Sequence, residues 1–246
     1  MHGDNAEKIK EEFFMDYNNI SPQQICRIDA LGSFVEVMAS SLSIGKVQVN
    51  FLSYDKNKPA NQRATASISF YIDVLKAKAL SDNIMNGKMA KLWKKSKDAA
   101  AASNNKYPAA IFTEQGGTPA NKAKRADGKA LSRTMSLAPG SRQPWVLTAE
   151  CGPGVPGPNG LLIVPDYGYN KATKKPEQIV RIAMDNDHLE LFAEALNAAY
   201  MTWIMAKYVP QVEPRMTEQR ERWESTHNFG KKQEPPKPVA AICDED

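Results

Sequence analysis

Two groups of side chains in this 246-residue chain could do chemistry, and both suit a polyanion better than a reaction. The first is a set of cations: Lys88, Lys91, Lys94, Lys95 and Lys97, then Lys122, Lys124 and Arg125. Lysine and arginine contact phosphates and release condensed counterions, so binding by such a set weakens steeply as salt rises. Between Lys88 and Arg142, twelve Lys and Arg stand against three acids, Asp98, Glu114 and Asp127, although the whole chain is only +4. Basic charge is concentrated there, and the rest of the chain is net negative. The second group is aromatic: Tyr54, Tyr71, Trp145, Tyr167 and Tyr169, on strand-like segments or in loops near basic residues. Bases stack on such rings at about 1–3 kcal/mol per base. The competing explanations are a solvated loop with surplus lysines and, for Tyr71 and Trp145, ordinary packing in a sheet or core.

Catalytic chemistry has less to work with. Of the three histidines, His2 and His227 fall in terminal extensions and His188 in the first turn of a helix, where capping explains it. There is no HExxH, GxSxG or P-loop pattern. Gly116-Gly117-Thr118 lacks the lysine and following helix of a phosphate-cradling loop. Cys26, Cys151 and Cys243 are odd in number, far apart and without a CxxC pair, which argues against a zinc site or disulfide framework. Cys151 borders a Gly/Pro run but has no histidine near it in sequence to lower its pKa. The expectation is a non-enzyme that needs no metal or cofactor.

The elements that must position these groups form a pattern that occurs twice. Ile68-Ser69-Phe70-Tyr71-Ile72-Asp73 alternates like a strand and runs straight into a helix, and so does Val180-Arg181-Ile182-Ala183-Met184-Asp185. Asp73 can cap the first helix, with Ala77, Leu80 and Ile84 as its inward stripe. The second helix carries Leu189, Phe192, Leu196, Ala199, Tyr200 and Trp203 at steps of three and four. Further strands are expected at Phe34–Met38, Val47–Phe51, Tyr107–Thr113, Leu131–Leu137, Trp145–Glu150 and Leu161–Val164. Ser21-Pro22, with Ile25, Ile28 and Leu31 following, reads as a helix start. The Gly/Pro run 151–160 reads as a connection between strands.

The fold class is therefore α+β, two related antiparallel sheet-plus-helix halves of about 34–97 and 106–208. Residues 1–20 form an N-terminal arm ahead of a domain at 21–208. From 209 to 246 a polar tail with the acidic tip Asp244-Glu245-Asp246 is expected to be flexible. No apolar run approaches the roughly 20 residues needed to span a bilayer, and the polar N-terminus lacks the layout of a secretion signal, so no membrane partner and a cytoplasmic location are expected.

Strands closed by one helix, repeated within a chain, resemble the PUR and Whirly single-stranded nucleic-acid-binding proteins. The segments that carry the resemblance are Ala64–Ile84 and Ile179–Tyr208, each preceded by strands such as Val47–Phe51 and Trp145–Glu150. It implies exposed nucleic-acid strands lying across a sheet face, with helices packing the other side or mediating oligomers. The acidic tip is similar to the partner-recruiting tail of bacterial single-strand-binding proteins, without their terminal aromatic. The expected partners are thus single-stranded DNA or RNA, a second copy of the chain, and a protein bound by the tip, in a setting such as DNA replication or a mobile element. The alternative is a structural or assembly component, of a phage or mobile element, that uses the same loops and tail for protein contacts.

Overall fold

Alternation of apolar and polar residues sets the first sheet. The computed structural model describes residues 23–157, 160–165 and 175–227. β1 (Gln24–Ala30), β2 (Ser33–Met38), β3 (Lys46–Tyr54) and β4 (Ala64–Asp73) form an antiparallel sheet in sequence order. Val47, Val49 and Phe51 pair with Ile72, Phe70 and Ile68, and all six are almost fully buried. Such a row buries one face and leaves the other to water. Gly32, at φ 73°, takes the left-handed position of the tight β1–β2 turn.

The Asp73 carboxylate then accepts the Leu75 N–H at 3.0 Å and starts α1 (Val74–Met85). A second helix, α2 (Lys88–Ala102), follows Gly87. The second sheet contains β5 (Phe112–Thr118), β6 (Ala130–Pro139), β7 (Trp145–Pro156), β8 (Leu162–Ile163) and β9 (Gln178–Met184), with a four-residue helix α3 (Ala120–Ala123) between β5 and β6. The order is β5-β6-β7, and β7 pairs with both β8 and β9. α4 (Asn186–His227) follows β9 as α1 follows β4. The architecture is α+β, with two antiparallel sheets and a strand-to-helix step after each.

The sheets share one core. β9 touches all four strands of the first sheet, and β4 touches β5, β6, β7 and β9. Strands that each reach several strands opposite cross them at a large angle, as in orthogonal sheet packing. Met135, Leu137, Leu147, Val180 and Ile182 face the row from β3 and β4. Leu189, Phe192, Leu196 and Ala199 of α4 complete the core, and the buried Ser81 hydroxyl on α1 donates to the Ala193 carbonyl at 2.7 Å. This compact unit ends at Trp203, and a second unit, from Ile204, contains the rest of α4.

Several local expectations are corrected. The helix expected after Ser21-Pro22 is strand β1, because Ile28 faces the core opposite Val35 and Leu31 lies in an exposed turn. The strand expected at Tyr107–Thr113 is shifted to Phe112–Thr118, so Gly116 and Gly117 lie inside a strand. Gly117 is required there: a Cβ would clash with the Leu131 carbonyl and sit 2.8 Å from the Leu162 Cβ. β7 continues through half of the Gly/Pro run, to Pro156. α4 continues past Val209-Pro210 to His227, so the first part of the expected flexible tail is helical. The N-terminal arm and the acidic tip lie outside the described residues.

Candidate nucleic-acid interface

α2 is built with one packed and one basic side. At about 100° per residue, Leu92, Ser96, Met89, Ala100 and Trp93 cluster on one half of the wheel. Met89 and Ala100 are buried and the other three half-buried. Lys88, Lys91, Lys94 and Lys95 are exposed on the other half, with Asp98 among them. Lys97 lies at the boundary, its ammonium 4.4 Å above the Trp93 ring. The packed side is anchored by Trp93, whose indole N–H donates to the Pro144 carbonyl at 2.6 Å. Four of the candidate lysines thus share one face of one helix, and a fifth borders it.

The remaining cations are elsewhere. Lys122 and Lys124 are exposed in and after α3, beside the start of β6. α2 is fixed near the other end of that ten-residue strand, which is about 30 Å long at the usual rise. The two basic groups therefore do not make one patch. Arg125 is not a spare cation: Nη1 and Nη2 reach Glu177 at 2.7 and 2.8 Å, while Nη2 and Nε reach Asp127 at 2.7 and 2.9 Å. These carboxylates raise the arginine pKa, and the arginine holds Asp127 down at about 2 and lowers Glu177. Four of its five N–H donors and its charge are thus committed to two carboxylates, which leaves it a poor phosphate ligand.

The aromatic candidates also divide. Trp145 is only 5% exposed; it packs against Trp93 with ring centroids 6.1 Å apart and donates its N–H to Asn186 Oδ1 at 2.8 Å. No base can stack on a ring enclosed in this way, so Trp145 is a core residue. Tyr71 is 42% exposed on the outer face of β4, and Tyr54 is half-buried at the end of β3. Tyr167 and Tyr169 lie outside the described residues.

The structure adds residues that the sequence did not single out. On the outer face of the first sheet, Phe34 stands 6.2 Å from Tyr54 by ring centroids, and the Arg27 guanidinium lies 3.7 Å over the Phe34 ring. Arg27 is held by two hydrogen bonds to Asp29 at 2.8 and 3.0 Å. Between this stack and Tyr71 the Asn50 amide oxygen accepts from Gln48 and from Ser69, each at 2.8 Å. The face combines flat groups with amide heads, the chemistry that contacts bases. Arg133 was also missed. Alternation places it on the inward face with Met135 and Leu137, and a cation at an inward position was the available signal. Burial lowers its pKa, against the pull of Cys151 and Tyr71. Burial raises the thiol pKa of Cys26 and of Cys151, away from thiolate chemistry.

No protein-family model matches the chain, and no curated protein sequence matches it. Among solved structures, WHY1 from Arabidopsis thaliana is similar over 79% of this chain and 90% of that one, with 8% identity and a TM-score of 0.39. That is a weak likeness of overall fold, too loose to carry functional information.

Proposed function

We propose that this chain is a non-catalytic protein that binds single-stranded DNA or RNA. The observation that supports this best is α2, where Lys88, Lys91, Lys94 and Lys95 stand exposed on the side opposite the packed one and Lys97 borders them. Such a face attracts a sugar-phosphate backbone without regard to sequence. Tyr71 and Tyr54 supply rings on a separate surface, the outer face of the first sheet. Lys122 and Lys124 are exposed cations apart from that face, whereas Arg125 and Trp145 serve the fold. Titration of a labelled oligonucleotide at low and high salt tests the reading: single strands bind, and affinity falls steeply with salt. Absence of binding at low salt overturns it.

A second reading, a protein-protein assembly component, is favoured by the far part of α4. Met205, Val209, Met216 and Trp223 are all more than half exposed, at spacings of four and seven that place them on one side of a helix. That reading expects a defined oligomer in the absence of nucleic acid, read by sedimentation.

A further inference from the structure

We infer that Arg133 and Tyr71 form a nucleotide subsite where β4 passes β5, with the guanidinium taking a backbone phosphate and the phenol ring stacking the adjoining base. This rests on the single-strand reading above and gives it a specific place. Arg133 projects from the inward face of β6 opposite Gly116 on one side and Cys151 on the other. Its Nη1 donates to the Thr118 hydroxyl at 2.9 Å. Among the described residues no carboxylate lies within ion-pair distance of it, whereas Arg27 and Arg125 each have two. A partly desolvated cation without a counterion is costly, and an anion completes it. The guanidinium keeps donors to spare in a fork that fits phosphate oxygens.

The second half of the subsite follows from Gly116. With no side chain there, β5 passes close to β4: a Cβ on Gly116 would lie 3.7 Å from the Phe70 ring and 3.9 Å from the Tyr71 carbonyl. Tyr71 is exposed, and Gly116, the residue paired with Arg133 across β5–β6, is the one whose Cβ position approaches its backbone. The neighbouring lysines are already neutralised, Lys76 by Glu114 at 2.5 Å and Lys46 by Asp73 at 3.5 Å. Among the described residues, Arg133 is therefore the cation at this place without a carboxylate partner.

The test compares wild type with Arg133→Gln, Arg133→Lys, Tyr71→Ala and Tyr71→Phe on a labelled oligothymidylate and on a sugar-phosphate strand of equal length without bases. Arg133→Gln weakens both strands and lowers the logarithmic salt slope by about 0.7, one phosphate contact to a single strand. Arg133→Lys keeps the slope. Tyr71→Ala weakens the base-bearing strand alone by about 5- to 100-fold, and Tyr71→Phe does not. An unchanged melting temperature of Arg133→Gln shows that the arginine is no structural prop. If wild type binds strands while Arg133→Gln and Tyr71→Ala are unaltered, the subsite is overturned and the single-strand reading stands. If wild type binds no strand, thymidine monophosphate decides by thermal shift. A rise lost in Arg133→Gln keeps the subsite as a mononucleotide site and discards the strand, and no rise overturns both.

Discussion

Trp93 and Trp145 pack with ring centroids 6.1 Å apart and an interplanar angle of 52°, joining the lysine-bearing helix to the second sheet. Each indole also donates outward, Trp93 to Pro144 and Trp145 to Asn186 at the start of α4. Trp93→Phe keeps most of the packing and loses the hydrogen bond, a cost of about 1 kcal/mol. Trp93→Ala removes the anchor and costs about 3–5 kcal/mol. Urea unfolding measures both. Oligonucleotide affinity falls in Trp93→Ala, because the lysines lose their fixed support.

Replacing Lys88, Lys91 and Lys95 together by glutamine changes stability little, since these side chains are exposed. It lowers the logarithmic salt slope of single-strand binding by about 0.7 for each phosphate no longer neutralised. A triple variant with an unaltered slope removes α2 from the interface.

The Arg125 cluster makes stability depend on acid. Asp127 has a folded pKa of about 2, below its ordinary carboxylate value, and Glu177 is lowered as well. The unfolded chain therefore binds protons more readily, and the stability from these groups is fully present above the unfolded value, near 4. It is lost as pH falls from there toward the folded value. Arg125→Met flattens the curve of melting temperature against pH in this window. Equal curves for wild type and variant would show that the pairs do not contribute.

Two adjacent glycines in β5 behave oppositely. Gly117→Ala drives a methyl into the Leu131 carbonyl and the Leu162 side chain and costs about 1–3 kcal/mol. Gly116→Ala meets only ordinary contacts, and the stiffer unfolded chain stabilises the fold by about 0.4–1 kcal/mol. Denaturation midpoints of the pair check the sign of each.

The parts legible in the sequence are those written locally. β4, its Asp73 cap and α1 are consecutive residues whose alternation, cap and stripe all agree, and β9 into α4 repeats the arrangement. β1 was not legible, because Ile25, Ile28 and Leu31 fit a helical spacing and only pairing with β2 decides for a strand. The glycines of β5 lie beyond the strand end expected at Thr113, and only the Leu131 carbonyl shows why a side chain is excluded at Gly117. In the candidate interface the helical lysines were visible as a charge run. The neutralisation of Arg125 depends on Glu177, 52 residues away, and the enclosure of Trp145 on α2 and α4. Tertiary contacts assigned those roles, and no local pattern encodes them.

β9 is the last strand among the described residues, yet it completes the pairing of β7 and meets all four strands of the opposite sheet. During synthesis the first hairpins leave the ribosome long before Met184 does. Until then the nascent chain holds β7 with an unpaired edge and a half-covered apolar surface, a state open to aggregation. A chain released upstream of β9 lacks the strand that pairs with β7 from Trp145 to Cys151.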